Sequence, residues 1–206
     1  MLCKQKNLVR RALPKNLISR QTWLLFSRPV PPASAPLLAS AETCAGLLVL
    51  QFDSALIEKY FDDPRVHLFK KFLREGYKGI LLANKDEWIA YGWLATPSTP
   101  APVHMQAKQG GRYWIFYCHT AETHRGQGHY QRLLNLLIEE AARQGGVGQE
   151  IFIDTGAGNV ASHKAIVRVG FEPRGVITTL NLPRCRPFYA RLRPTAPHPA
   201  LPERKP

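Results

Sequence analysis

The segment Arg125-Gly126-Gln127-Gly128-His129-Tyr130 lies between two stretches of opposite periodicity. Before it, Tyr113-Trp114-Ile115-Phe116-Tyr117 is aromatic and β-branched, which reads as a strand. After it, residues 129–144 carry apolar side chains at helical spacing. A strand therefore feeds a glycine-rich turn, and the turn opens a helix. Such a turn presents backbone N–H groups and the positive end of the helix dipole to an anion. Glycine suits it because a side chain would hold a phosphate away from the backbone. Arg125 adds a fixed positive charge, so the implied chemistry is the binding of a diphosphate. Two common alternatives fail on spacing. A P-loop needs Lys-Ser or Lys-Thr after its last glycine, where this chain has His129-Tyr130. A dinucleotide-binding fold needs a different glycine spacing and an acidic residue about 20 residues on. Glu139 and Glu140 lie too close, inside the same helix, and Asp154 does not repair the glycine spacing.

A second stretch supports the first. Ile151-Phe152-Ile153-Asp154 reads as a short buried strand. Gly156, Gly158 and Asn159 follow as loop and helix-start signals, and residues 162–169 form a short helix ended by Gly170-Phe171. The two stretches together resemble the GCN5-related N-acetyltransferase (GNAT) superfamily. Its first signature is Arg or Gln, two residues, Gly, one residue, Gly or Ala, and then usually a Leu pair. Arg125, Gly128 and Leu133-Leu134 match it, and Tyr130 departs from it. Its second signature is Asn, a short helix and Gly-Phe, matched by Asn159 and Gly170-Phe171. The resemblance covers roughly residues 45–190.

The resemblance implies transfer of an acetyl group from acetyl-CoA to an amine, by direct attack in a ternary complex. It assigns the diphosphate to the loop Arg125, Gly126, Gln127, Gly128, His129 and Tyr130. It assigns the pantetheine arm to the backbone of Cys118, His119 and Thr120, with Asn159 and Ser162 on the other side. Asn159 has an alternative role as a helix cap. One subset, the ribosomal-protein alanine acetyltransferases, has a Glu five residues before the motif Asn, where this chain has Asp154. Asp154 is thus the first choice for the base that removes the amine proton, with capping of loop amides as its alternative. His119 and Glu122 are the other catalytic candidates. The superfamily often supplies a proton to the leaving thiolate from a Tyr seven residues after that Asn, where this chain has Ile166. Tyr117 and Tyr130 are stand-ins, and solvent is a third source. No base is fixed beside Cys118 by sequence, so direct transfer ranks above a covalent route. A small amine or amino sugar ranks above a protein N-terminus as acceptor. A non-catalytic acyl-CoA sensor or scaffold is the competing class.

Composition agrees with a single domain. The chain has 206 residues, 45% of them hydrophobic, which suits one well-buried core. No apolar run reaches the roughly 20 residues of a membrane helix. Cys3, Cys44, Cys118 and Cys185 show no paired spacing, so neither a metal site nor a disulfide framework is expected. Reduced thiols point to a cytoplasmic protein. The net charge of +13 concentrates in the tails. Residues 1–44 set Lys4, Lys6, Arg10, Arg11, Lys15, Arg20 and Arg28 against Glu42 alone. This distribution suits an anionic small molecule and argues against a nucleic-acid partner. The expected partners are a small-molecule amine and, at most, a second copy of the chain.

The expected organisation is a basic, poorly ordered N-terminal extension (1–44), an acetyltransferase domain (45–192) and a Pro-rich tail (193–206). Within the domain the expected order is a strand (46–52), two helices (54–61 and 63–74) and a hairpin (78–83 and 88–94). After a polar loop (97–109) come a strand (113–120), a helix (129–144), a strand (151–155), a helix (162–169) and two strands (171–182 and 188–192). Asp63 before Pro64 reads as a cap followed by a first-turn proline. The fold class is α/β, an α+β mixed sheet of the kind the resemblance implies.

Overall fold

Eight strands pair into one sheet in the computed structural model, which describes residues 19–32, 47–100, 111–181 and 189–194. They are β1 (Ser19–Pro29), β2 (Leu48–Gln51), β3 (Lys78–Ala83), β4 (Trp88–Ala95), β5 (Tyr113–Thr120), β6 (Glu150–Gly156), β7 (Glu172–Asn181) and β8 (Tyr189–Pro194). The helices among the described residues are α1 (Ser54–Tyr60), α2 (Arg65–Arg74), α3 (His129–Ala141) and α4 (Val160–Arg168). The spatial order is β2-β3-β4-β5-β6-β1-β7-β8. All neighbours run antiparallel except β5 and β6, which run parallel. This is a mixed α/β fold, as the order of elements predicts. Among the described residues no helix is long and apolar enough to cross a membrane.

Local chemistry explains most element ends. Asp53 caps α1 by accepting from the Leu56 amide at 2.8 Å. Asn84 closes the β3–β4 turn, its Oδ1 accepting from the amides of Asp86 and Glu87. Asp63 does not cap α2, contrary to the sequence reading. Pro64 takes the cap position without a side-chain bond, and the Asp62 carbonyl receives the amides of Arg65 and Val66 instead. Helix α3 stops at Ala141, short of the expected 144, because residues Ala142–Gly146 widen into a π-turn in which Gly145 has φ 83°.

The largest difference lies at the N-terminus. Ser19–Pro29, expected within a poorly ordered extension, forms β1 and fills the space between β6 and β7. Leu25 lies opposite Asp154 on one side, and Trp23 opposite Ile177 on the other. The basic residues around it hide an apolar run, Trp23-Leu24-Leu25-Phe26, that has the pattern of a central strand. The boundary drawn at residue 44 therefore does not coincide with the start of the sheet. At the other end β8 runs on to Pro194, into the stretch assigned to the tail. Residues 1–18 and 33–44 of the extension, the tail from 195, loop residues 101–110, and Cys3, Cys44 and Cys185 lie outside the described residues.

Two cores flank the sheet. Helices α3 and α4 bring Leu133, Leu134, Leu137 and Ile166 against Ile80, Leu94, Ile115 and Ile153. Helices α1 and α2 cover an aromatic layer in which Phe52 stacks on Trp93 at 4.8 Å and Phe69 meets Phe61, Tyr91 and Trp93. Tyr60, Phe61, Phe69, Phe72 and Tyr77 all belong to this layer or pack on it, the commoner outcome for aromatics at helical spacing. Strand β1 also sets α4 in place. The Phe26 ring meets His163 edge-on at 5.0 Å, and the Arg28 guanidinium donates to the Val169 carbonyl at the C-terminal end of the helix.

Candidate functional site

The parallel pair β5/β6 is short. Only Tyr113, Trp114 and Ile115 pair with Ile151, Phe152 and Ile153. Beyond Ile115 the two strands part. The cause lies in β5, where one extra residue sits between the pairs Tyr91–His119 and Trp93–Phe116. Tyr117 carries this bulge with φ 50°, in the left-handed region that L side chains avoid. Both Phe116 and Tyr117 then reach the aromatic layer, at 5.3 and 5.7 Å from the Phe72 ring. Cys118 turns to the opposite face and packs with the α3 core. The second half of β5 thus keeps β4 as a neighbour and leaves its other edge facing a gap.

That gap opens toward two helix N-termini. Gly126 and Gly128 have φ of 79° and 81°, and a Cβ built on either would meet nothing within 4 Å. The first helical bond of α3 runs from the Arg132 amide to the Gly128 carbonyl. The amides of His129, Tyr130 and Gln131 come before it and have no acceptor within the helix. Across the gap, Asn159 caps α4, its Oδ1 accepting from the Ser162 amide at 3.2 Å. A cleft of about 610 Å³ lies between these ends. Its floor is Cys118, His119 and Thr120, one wall is Arg125, Gly126, Gly128, His129 and Tyr130, and the other is Asn159 and Ser162. The Thr120 hydroxyl, on this floor, is buried without a hydrogen-bond partner, a polar atom that a ligand can satisfy. Open backbone beside two glycines, helix N-termini and cationic walls fit a diphosphate joined to an amide-bearing arm.

The cleft joins ten of the residues named from sequence: Cys118, His119, Thr120, Arg125, Gly126, Gly128, His129, Tyr130, Asn159 and Ser162. Three others lie elsewhere. The Gln127 side chain folds back on its own turn, donating to the Thr123 carbonyl at 3.3 Å. Glu122 is held in solvent, 83% exposed and paired with Arg125 at 3.2 Å, so it is not brought to the cleft. Asp154 points to the aromatic side of β6 and accepts from the Trp114 indole N–H at 2.9 Å. It stands where β6 leaves β5, and its charge is felt by Cys118 and Tyr130. Ile166 is fully buried in the α3/α4 core, while its neighbour Ala165 faces the cleft.

Sequence reading missed His124, Lys164 and Arg168, which also line the cleft. Lys164 and Arg168 share the face of α4 with Ala161, a spacing of three to four that carries a detectable signal. His124 had no such signal. It is brought in by the β3–β4 turn, where Glu87 Oε1 lies 3.0 Å from its Nε2.

The titrating groups are tuned by burial and by these cations. Burial, then Arg65 and Arg125, push the His119 imidazole below its ordinary value, against Glu122. Burial, then His124 and Arg132, do the same to His129. Burial pushes the Cys118 thiol up to about 12, so it stays protonated and is a poor nucleophile at neutral pH. Burial also raises Tyr130, against a hydrogen bond from Ser162.

The sequence profile of the acetyltransferase (GNAT) family matches residues 45–171, and this chain belongs to that family. Solved structures share its fold. A Drosophila protein superposes with a TM-score of 0.57 at 14% identity, over 87% of this chain and 56% of its own. A GCN5-related N-acetyltransferase-like protein from Streptococcus suis gives 0.53 at 14% identity, over 86% of this chain and 67% of its own. A GNAT acetyltransferase from Colwellia psychrerythraea gives 0.50 at 16% identity, over 83% and 58%. This chain thus spans little more than half the length of the Drosophila protein. No curated protein matches it in sequence.

Proposed function

We propose that this protein transfers an acetyl group from acetyl-coenzyme A to a primary amine, a small amine or amino sugar before a protein N-terminus, with both substrates bound at once. The observation that carries this reading is the parting of β5 from β6 beside the glycine turn, which joins an anion cradle to an open strand edge. Gly126, Gly128 and the first amides of α3 would hold the diphosphate, with Arg125, Lys164 and Arg168 supplying charge. The open edge of β5 at Cys118, His119 and Thr120 would hold the amide-bearing arm. Acetyl-coenzyme A, when bound, supplies the acetyl group as an activated thioester.

The protein's own groups supply the rest. An amine must lose a proton to attack, and an ordinary amine pKa of about 10 keeps it protonated at neutral pH. Asp154 is the proposed acceptor of that proton, held in orientation by the Trp114 N–H at 2.9 Å. His119 is the second candidate, because burial and nearby cations keep its imidazole neutral. Cys118 is left out of the chemistry by its raised thiol pKa. Ile166, buried in the core, has no proton to give. The departing thiolate, whose conjugate acid has the ordinary thiol pKa of about 8.5, then takes its proton from solvent.

Titrating the protein with acetyl-coenzyme A by calorimetry, followed by free-thiol release with a panel of amines, tests the reading. Binding together with amine-dependent thiol release supports it, and absence of binding overturns it. Binding without thiol release for any amine favours a non-catalytic acyl-coenzyme A sensor, a second reading that the core position of Ile166 supports.

A further inference from the structure

The anion cradle contains more titratable charge than a fixed phosphate site needs. His129 is the first residue of α3, and it lines the cleft together with His124. Their rings lie 6.0 Å apart, nearly perpendicular. Each is held on one side. His124 Nε2 meets Glu87 Oε1 at 3.0 Å, and His129 Nε2 meets Gln127 Oε1 at 3.3 Å. We propose that His129, with His124 beside it, is a titratable member of the anion cradle, neutral in the empty cleft and protonated once a diphosphate occupies it. This rests on the reading that the cleft takes the diphosphate of a coenzyme.

Burial, the helix dipole and the neighbouring cations oppose the charging of His129 while the cleft is empty. It stands at the positive end of the α3 dipole, which disfavours a cation. Arg132 lies one turn on along the same helix, His124 acts on it from the preceding turn, and Arg125 lines the same cleft. Lys164 and Arg168 of α4 and His119 of β5 line the same cleft. The nearby carboxylates are engaged elsewhere, Glu122 with Arg125 and Glu87 with His124. Burial, His124 and Arg132 accordingly hold His129 below its ordinary value. A diphosphate placed in the cleft reverses the balance. Its negative charges attract the imidazolium and offset the repulsion from the fixed cations. Coenzyme binding therefore takes up a proton at His129.

The direction of the pH dependence follows. The histidine pKa is low in the free protein and higher in the complex. Affinity therefore rises as pH falls through the bound-state pKa, by up to about tenfold per pH unit for one histidine. It levels off below the free-state pKa. The experiment is calorimetric titration of the full chain with coenzyme A from about pH 5.5 to 8.5, for the native protein and His129→Gln. Repeating it in buffers of different ionisation enthalpy counts the protons taken up. The ring resonances of His129 are followed by NMR in free and saturated native protein, which needs no variant. Titration of the coenzyme's own phosphate is common to both proteins and cancels in the difference. The expected result is net proton uptake by the native protein, a His129 pKa that rises on binding, and a flatter pH profile in the variant. Equal pH profiles with tight binding, or a His129 pKa unmoved by coenzyme A, overturn this inference and leave the coenzyme reading standing. No binding at any pH overturns both.

Discussion

At Gly79 a Cβ would sit 2.5 Å from the Phe52 ring and 2.8 Å from Trp93, whereas at Gly128 it would meet nothing within 4 Å. Gly79 lies under α1 and α2, where stacked rings leave no room. Gly128 lies at the mouth of the cleft, where φ of 81° and open space are both present. One glycine stands in closed packing and the other in open space. The same contrast holds for whole regions. The aromatic layer packs mainly ring on ring, with a few polar groups at its edges, such as Asp154 on the Trp114 indole. The cleft is open, lined by cations and by amides without helical acceptors. Cys118, Tyr130 and Asn159 belong to fold and cleft alike, the first two packing on the α3 core and the third capping α4 while all three line the cleft.

That contrast can be broken by substitution. Gly128→Asp places a carboxylate against the diphosphate. At 4 Å and an effective dielectric of 20 the repulsion is about 4 kcal/mol, roughly a thousandfold in affinity. Calorimetry with acetyl-coenzyme A should read that loss per folded molecule, beside a stability cost of about 1–2 kcal/mol for an L residue at φ 81°. Unchanged affinity would remove the diphosphate from this loop. Asp154→Asn should lower turnover by about a hundredfold at neutral pH, the usual contribution of a general base. Coenzyme affinity should hold, and the deficit should shrink at high pH, where more amine is already deprotonated. A rate within twofold of the native protein would exclude Asp154 as the base. Gly79→Ala, on the closed side, should reverse the pattern. Overpacking should cost about 1–3 kcal/mol of stability by denaturant titration, with coenzyme affinity per folded molecule unaltered. Thr120→Val should have the smallest effect. Removing a buried hydroxyl without a partner should leave the free protein as stable as before, and weaken coenzyme binding by about 1 kcal/mol, the net value of one hydrogen bond. Equal coenzyme affinity in that variant would mean that the hydroxyl does not meet the ligand.

The site divides in the same way in how far it could be read. The turn from Arg125 to Tyr130 and the Asn159 cap were legible because each is a local device. Glycines with positive φ, a helix start and a capping amide lie within a few residues of one another. The hairpin around Asn84 was legible for the same reason. Strand β1 was not. Its apolar run is short, its flanks are basic, and its partners Ile153 and Val176 lie far along the chain. The side of the sheet to which Asp154 would point was equally hidden, because that depends on which strands β6 pairs with. Glu122, the most exposed of the catalytic candidates, lies in solvent beside Arg125, as a polar turn residue is expected to.

By itself the sequence determined the order of helices and strands from β2 to β8, the glycine turn and the helix that follows it. These rest on periodicity, capping and turn chemistry, all of which act over a few residues. Tertiary structure decided the rest. It inserted β1 between β6 and β7, and used that strand to seat α4. It parted β5 from β6 through the bulge at Tyr117, and it brought His124, Lys164 and Arg168 to one cleft. These outcomes depend on contacts between residues distant in sequence, whose pairing is fixed only when the whole sheet closes.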